Sequence, residues 1–149
     1  MDQSLPSFLL VDGNNIIHAW PDLLKLHRQR AGLAHRELIS RLSDFQGFTG
    51  EKVVVAFDGR KGRTKEEREP GGLQVFYTGG ERTADELIER LAVKYAGTYR
   101  ITVATDDRIE QDVVVAAGGE AMSSQSLWDR LESMNEQMHT WIEKNRRAS

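Results

Sequence analysis

Four short apolar runs, each stopping at a carboxylate or a glycine, constrain this chain more than any other feature. Phe8-Leu9-Leu10-Val11 stops at Asp12-Gly13, and Val53-Val54-Val55-Ala56-Phe57 stops at Asp58-Gly59. Leu73-Gln74-Val75-Phe76-Tyr77 stops at Thr78-Gly79-Gly80, and the run 99–104 stops at Thr105-Asp106-Asp107. Runs of this length, bounded by turn residues, read as buried strands. Glu120-Ala121-Met122 reads as a short last strand.

Between these runs the apolar period changes to that of a helix. Ile16, Ile17, Trp20, Leu23, Leu24 and Leu26 recur at helical spacing, and Pro21 divides them into a short helix and a second one beginning near it. Leu38, Ile39, Leu42 and Phe45 mark a further helix, which Gly47 and Gly50 are expected to stop. Thr83-Ala84-Asp85-Glu86 has the spacing of a capping box and opens a helix through Leu87, Ile88, Leu91 and Tyr95. Residues 109–117 read as a short helix closed by Gly118-Gly119, although Val113-Val114-Val115 favours a strand by propensity. Ser124 or Ser126 is expected to cap a long final helix, about 124–146, through Leu127, Leu131, Met134, Met138 and Ile142. Residues 60–72, polar and bounded by glycine, read as a solvated loop.

Strands alternating with helices specify an α/β fold whose parallel or mostly parallel sheet is covered on both faces. The 149 residues suit one domain and contain no internal repeat or convincing linker. With no cysteine, disulfides, thiolate zinc sites and cysteine nucleophiles are excluded. No apolar run approaches the ~20 residues of a membrane span, and residues 1–6 lack the regions of a signal peptide. The expectation is a cytoplasmic protein without a membrane partner.

The acids carry the chemistry. Sites in open parallel sheets form beyond the carboxyl ends of the strands, where Asp12, Asp58, Asp106 and Asp107 all stand. Asp85, in the first turn of its helix, reaches the same edge. Like charges at close range repel, so such a cluster calls for something positive. Carboxylates without Cys or His companions suit Mg²⁺ or Mn²⁺, and such ions assist phosphodiester hydrolysis. Taken singly, each acid has an ordinary account as a turn or cap residue. Asn14 and Asn15, next to Asp12-Gly13, could orient a carboxylate or a phosphate, but on the pattern alone a turn or helix start is slightly favoured. The convergence of the set is what favours a site.

Leu10-Val11-Asp12-Gly13-Asn14-Asn15-Ile16-Ile17 resembles the opening motif of NYN domains, and closely that of bacterial YacP-like NYN ribonucleases. Val54-Val55-Ala56-Phe57-Asp58-Gly59, Val75-Phe76-Tyr77 before Thr83-Ala84-Asp85, and Val103-Ala104-Thr105-Asp106 with Glu110-Gln111 follow in order. The resemblance covers the whole chain. It implies a three-layer α/β/α PIN-like fold and divalent-metal-dependent endoribonuclease activity on single-stranded RNA such as mRNA. It carries over Asp12, Asp58, Asp85 and Asp106, with Asn14 as the polar position beside the first aspartate. Asp12, Asp85 and Asp106 would hold one or two Mg²⁺ or Mn²⁺ ions, with Asp107 the alternative to Asp106 and with Asn14 and Asp58 in support.

The net charge of −3 is unusual for a nucleic-acid binder, so RNA needs a local basic patch. Arg60, Lys61, Arg63 and Lys65, with Arg68, crowd the loop after Asp58 and are candidate RNA contacts, diluted by Glu66, Glu67 and Glu69. Lys25, Arg28, Arg30 and Arg36 form a second basic stretch that reads better as a solvated helix face. The four histidines lack metal-ligand spacing, and Trp20, Trp128 and Trp141 suit core packing better than base stacking. A non-catalytic RNA-binding or ribosome-associated module is the rival reading, opposed by the complete acidic set. A phosphoacceptor domain would need paired acids after the first strand, and an Asp-x-Asp phosphatase would need a carboxylate where Asn14 stands. The ribosome is a candidate partner; the oligomeric state is not legible.

Overall fold

The computed structural model describes residues 5–60, 64–69 and 71–148. In chain order the elements are β1 (Ser7–Asp12), α1 (Gly13–Ala19), α2 (Pro21–Gln29), α3 (Ala31–Thr49), β2 (Lys52–Arg60) and β3 (Lys65–Arg68). They continue with β4 (Gln74–Gly79), α4 (Ala84–Tyr95), β5 (Arg100–Ala104), α5 (Arg108–Ala116), β6 (Glu120–Met122) and α6 (Ser124–Ala148). The strands form one sheet in the order β3-β4-β2-β1-β5-β6. Every pairing is parallel except β3 with β4.

The sheet is covered on both faces, as continuous apolar strands require. Leu9, Val11, Val53, Val55 and Phe57 face α1, α2, α3 and α6, where Ile16, Leu23, Leu38, Leu42 and Leu127 are buried with them. Leu10, Val54, Ala56 and Val103 point to the other face, against Ala84, Ile88 and Ala92 of α4 and Val114 of α5. The alternation along each strand thus feeds two cores. Because β1 pairs with β2 on one side and β5 on the other, the chain reverses its winding direction beside β1. The crevice at such a reversal, beyond the strand ends, is where α/β sheets form sites.

Several local expectations are corrected. The stretch 60–72 is not a loop throughout: Lys65–Arg68 forms an edge strand antiparallel to β4, because a polar strand needs only one buried neighbour. β2 does not end at Asp58 but runs to Arg60, its register with β4 shifting between Phe57 and Arg60. α3 passes through Gly47 and stops at Gly50, whose φ of 78° supplies the left-handed C-cap. The helix expected over 109–117, by contrast, is present as Arg108–Ala116, burial of Val114 outweighing the β propensity of Val113-Val114-Val115. The Ser123 hydroxyl, rather than Ser124 or Ser126, caps α6 by accepting the Ser126 N–H at 3.1 Å. Trp141 is not in the core but 61% exposed, because α6 runs past the body of the protein.

Trp20 ties the junction of α1 and α2 to α6 on the same face of the sheet. It ends α1 in extended backbone, and Pro21 starts α2 in the position where a missing N–H costs nothing. Its indole N–H donates to the Ser124 carbonyl at 3.1 Å, and its ring meets the edge of Trp128. Among the described residues no helix is long and apolar enough to cross a membrane.

Candidate active site

Two adjacent asparagines gather the strand ends. The Asn14 side-chain oxygen accepts the Asp58 N–H at 2.7 Å, and the Asn15 side-chain oxygen accepts the Asp106 N–H at 2.8 Å. Both stand in the first turn of α1, directly after β1, so they tie the ends of β2 and β5 to the strand between them. Gly13 makes this turn possible. A Cβ there would stand 2.4 Å from the Phe57 ring and 2.8 Å from the Ala56 carbonyl oxygen.

An open cleft of about 300 Å³ forms at this edge, lined by Asp12, Asn14, Asn15, His18, Asp58, Asp85 and Asp107. Asp12 ends β1 and caps α1, accepting the Asn15 N–H at 3.4 Å. Asp58 accepts the Ala84 N–H at 2.6 Å and so fixes the start of α4. Thr83 caps that helix as expected, accepting the Glu86 N–H, while its hydroxyl donates to Asp85. Asp107 caps α5 with one oxygen, which accepts the N–H groups of Ile109 and Glu110 at 2.9 and 3.1 Å. Its other oxygen takes no part in that cap.

Asp106 is placed differently. Its two oxygens accept the Ser124 N–H at 2.7 Å and the Ser124 hydroxyl at 2.6 Å. It therefore joins β5 to the start of α6 and is not among the residues lining the cleft. Of the proposed RNA contacts, Lys65 is exposed on the edge strand β3, whereas Lys61, Arg63 and the Arg60 side chain lie outside the described residues.

A buried glutamate lies behind the cleft, against Asp12. Glu110 is fully buried on α5, in the same helical stripe as Val114. One oxygen accepts the Thr105 hydroxyl at 2.8 Å; the other meets no donor. Its carboxyl also meets that of Asp12, a contact that needs one proton between the two, and the strong raise of Glu110 places it on that residue. Burial, then the hydrogen bond and charge of Asp12, push Glu110 up to about 9. Burial is also the main cause raising Asp12, with repulsion from Asp58 and Asp85 adding to it and the contacts with Glu110 and Asn15 opposing it. Glu89, on the next turn of α4 from Asp85, is raised by burial and then by Asp85, Asp107 and Glu86. The sequence contained a signal for Glu110 that the strand-end pattern overlooks: an acid one turn before Val114 on the apolar face of a helix.

The cleft offers carboxylate and amide oxygens, with His18 at its wall and no Lys or Arg among its described lining residues. That donor chemistry fits a hard divalent cation. As placed, no group of three His, Asp or Glu side chains among the described residues stands close enough to hold one.

The family model of the YacP-like NYN domain matches residues 9–149. The chain is 33% identical over 138 residues to the uncharacterized protein YacP of Bacillus subtilis, covering 91% of this chain and 81% of that one. It superposes with a TM-score of 0.82 on the crystal structure of the W164L mutant of Rae1 (YacP) from Bacillus subtilis, at 31% identity over 94% of this chain and 84% of that one. A second crystal structure of Rae1 gives a TM-score of 0.75 at 33% identity, covering 92% and 80% of the two chains. The motifs at the strand ends, the sheet order and these likenesses agree: the chain belongs to the YacP-like NYN domain family.

Proposed function

We propose that this protein is a divalent-metal-dependent endoribonuclease that hydrolyses single-stranded RNA. The NYN family lies within the PIN-like nucleases, and membership supports an RNase-type function. The observation that carries the finer reading is the cleft where Asp12, Asp58, Asp85 and Asp107 meet from separate parts of the chain, with no Lys or Arg among its described lining residues. Mutual repulsion contributes to the raised affinity of Asp12 for protons, and a bound Mg²⁺ or Mn²⁺ would relieve it.

Asp12, Asp85 and Asp107 would hold the ion, their side chains closing on it from positions that are too far apart as placed. Asp107 is preferred to Asp106 because Ser124 occupies both Asp106 oxygens. The chemistry such a cation supplies is activation of water and stabilisation of the leaving oxygen. The remaining residues position this set. Glu110 donates its proton to Asp12 and fixes the orientation of that carboxylate. Asn14 holds the backbone of Asp58, and Asp58 in turn holds the first turn of α4, which carries Asp85.

The test is incubation of the pure protein with end-labelled single-stranded RNA in Mn²⁺ or in EDTA, for wild type and Asp12→Asn. Internal cuts that need Mn²⁺ and vanish in the variant are expected. Equal cleavage by the variant would remove Asp12 from the mechanism, and an inert wild type in Mn²⁺ would overturn the reading.

A further inference from the structure

We infer that the α2–α3 corner is the surface that holds the RNA strand; the inference rests on the nuclease reading for its ligand. Between Asp22 and Glu37 the chain has no acidic residue, yet it carries Lys25, Arg28, Arg30 and Arg36. In a chain of net charge −3 this is a local concentration of four positive charges. Arg28, Arg30 and Arg36 are exposed and form no ion pair among the described residues. The nearest acids in sequence are already engaged, since Asp22 and Glu37 both pair with Arg41, at 2.5 and 2.9 Å.

Two contacts place this corner beside the cleft. His18 lines the cleft wall, and its ring lies 5.0 Å from that of His27, the neighbour of Arg28. His35 stacks on Phe57 at 4.1 Å, and Phe57 immediately precedes Asp58. Ala31 begins α3 one turn before His35, about 6 Å further along the helix axis. The corner therefore stands at the rim of the acidic cleft.

Among the described residues, two other basic groups stand beside acids, unlike this surface. Arg82, just before α4, and Arg90 and Lys94 on it share one groove with Glu81, Glu86 and Glu89. On β3, Arg68 pairs with Glu66. Lys and Arg that neutralise phosphates release counterions, and acids beside them weaken that attraction. A strand held at the corner by its phosphates can lay a neighbouring phosphate into the cleft, where the described lining consists of carboxylates, two amides and one imidazole.

The experiment is fluorescence anisotropy with a labelled 20-nucleotide oligouridine in EDTA, so that binding is read without cleavage, across 25–200 mM KCl. Wild type is compared with the triple variant Arg28→Gln/Arg30→Gln/Arg36→Gln and with Arg82→Gln/Arg90→Gln/Lys94→Gln, which removes the same charge from α4 and the turn before it. The corner variant is expected to bind at least about tenfold more weakly at 50 mM KCl, with a salt slope smaller by about 2; the α4 variant is expected to stay within about twofold of wild type. Ultraviolet crosslinks should map to residues 18–36. A corner variant that binds like wild type, equal loss in both variants, or a wild type that does not bind would overturn the inference. Cleavage in Mn²⁺ separates the two claims. RNA cut by a wild type whose binding ignores the corner sinks the corner alone. Corner-dependent binding without cutting sinks the nuclease reading alone.

Discussion

Asp106 grips Ser124 with both carboxylate oxygens, one on the backbone N–H at 2.7 Å and one on the hydroxyl at 2.6 Å. This contact assigns different work to two adjacent aspartates. Asp106 anchors α6 to the end of β5, and Asp107 faces the cleft. Asp106→Ala is expected to lower stability by about 1–3 kcal/mol, the usual cost of losing hydrogen bonds to a charged group, with metal-dependent cleavage retained. Asp107→Asn is expected to abolish cleavage with a smaller loss of stability, since the amide oxygen still caps α5. Urea melts and RNA cleavage in Mn²⁺ measure both; the opposite assignment of effects would return the metal to Asp106.

Asn14 makes a second separable contribution. Its side chain satisfies the Asp58 N–H across the gap between α1 and β2. Asn14→Ala is expected to cost about 1–2 kcal/mol and to lower kcat more than it raises KM, because Asp58 and the start of α4 lose their common tether. Steady-state cleavage kinetics alongside thermal melts check this. An unchanged kcat at lowered stability would confine Asn14 to a structural role.

The Glu110–Asp12 pair predicts a stability profile. The unfolded chain releases the Glu110 proton near 4.5, whereas the folded protein holds it up to about 9. Between these values the folded state binds more protons, so stability falls as pH rises through the window and levels off above it. The raised Asp12 acts in the same direction. In EDTA the melting midpoint should therefore fall from pH 5 to pH 9. Glu110→Gln keeps an acceptor for Thr105 and a donor for Asp12, so it should fold and flatten the profile. A wild-type midpoint independent of pH in this range would contradict the protonated state of Glu110.

Gly13 should tolerate no side chain. A Cβ would press into the Phe57 ring and the Ala56 carbonyl, and both belong to buried positions of β2 that cannot withdraw. Gly13→Ala is expected to destabilise by about 1–3 kcal/mol or more through overpacking. Chemical denaturation provides the measurement; a variant as stable as wild type would mean that β2 shifts without cost.

Much of the architecture was legible in the chain itself. Each of the four main strands had a short apolar run and a turn signal of its own, and each helix had its period and often its cap. Such features are local, and burial of a one-sided pattern leaves few arrangements open. β3 escaped notice because Lys65-Glu66-Glu67-Arg68 has no apolar pattern; its hydrogen bonds come from β4, which a reading of that segment cannot supply.

At the site, the sequence by itself determined which residues reach the carboxyl ends of the strands, since β1, β2 and β5 end where their apolar runs end or shortly after. Only the tertiary structure decided which of them share a cleft. Asp106 and Asp107 are neighbours with the same chemistry, and their separation depends on Ser124, 18 residues further on. Glu110 gained its role from burial against Asp12, a contact across 98 positions of the chain that burial alone makes strong. Side-chain direction and solvent exclusion are properties of packing between distant segments. Hydrophobic pattern specifies that the segments will pack, and the packed structure alone specifies which polar groups then meet.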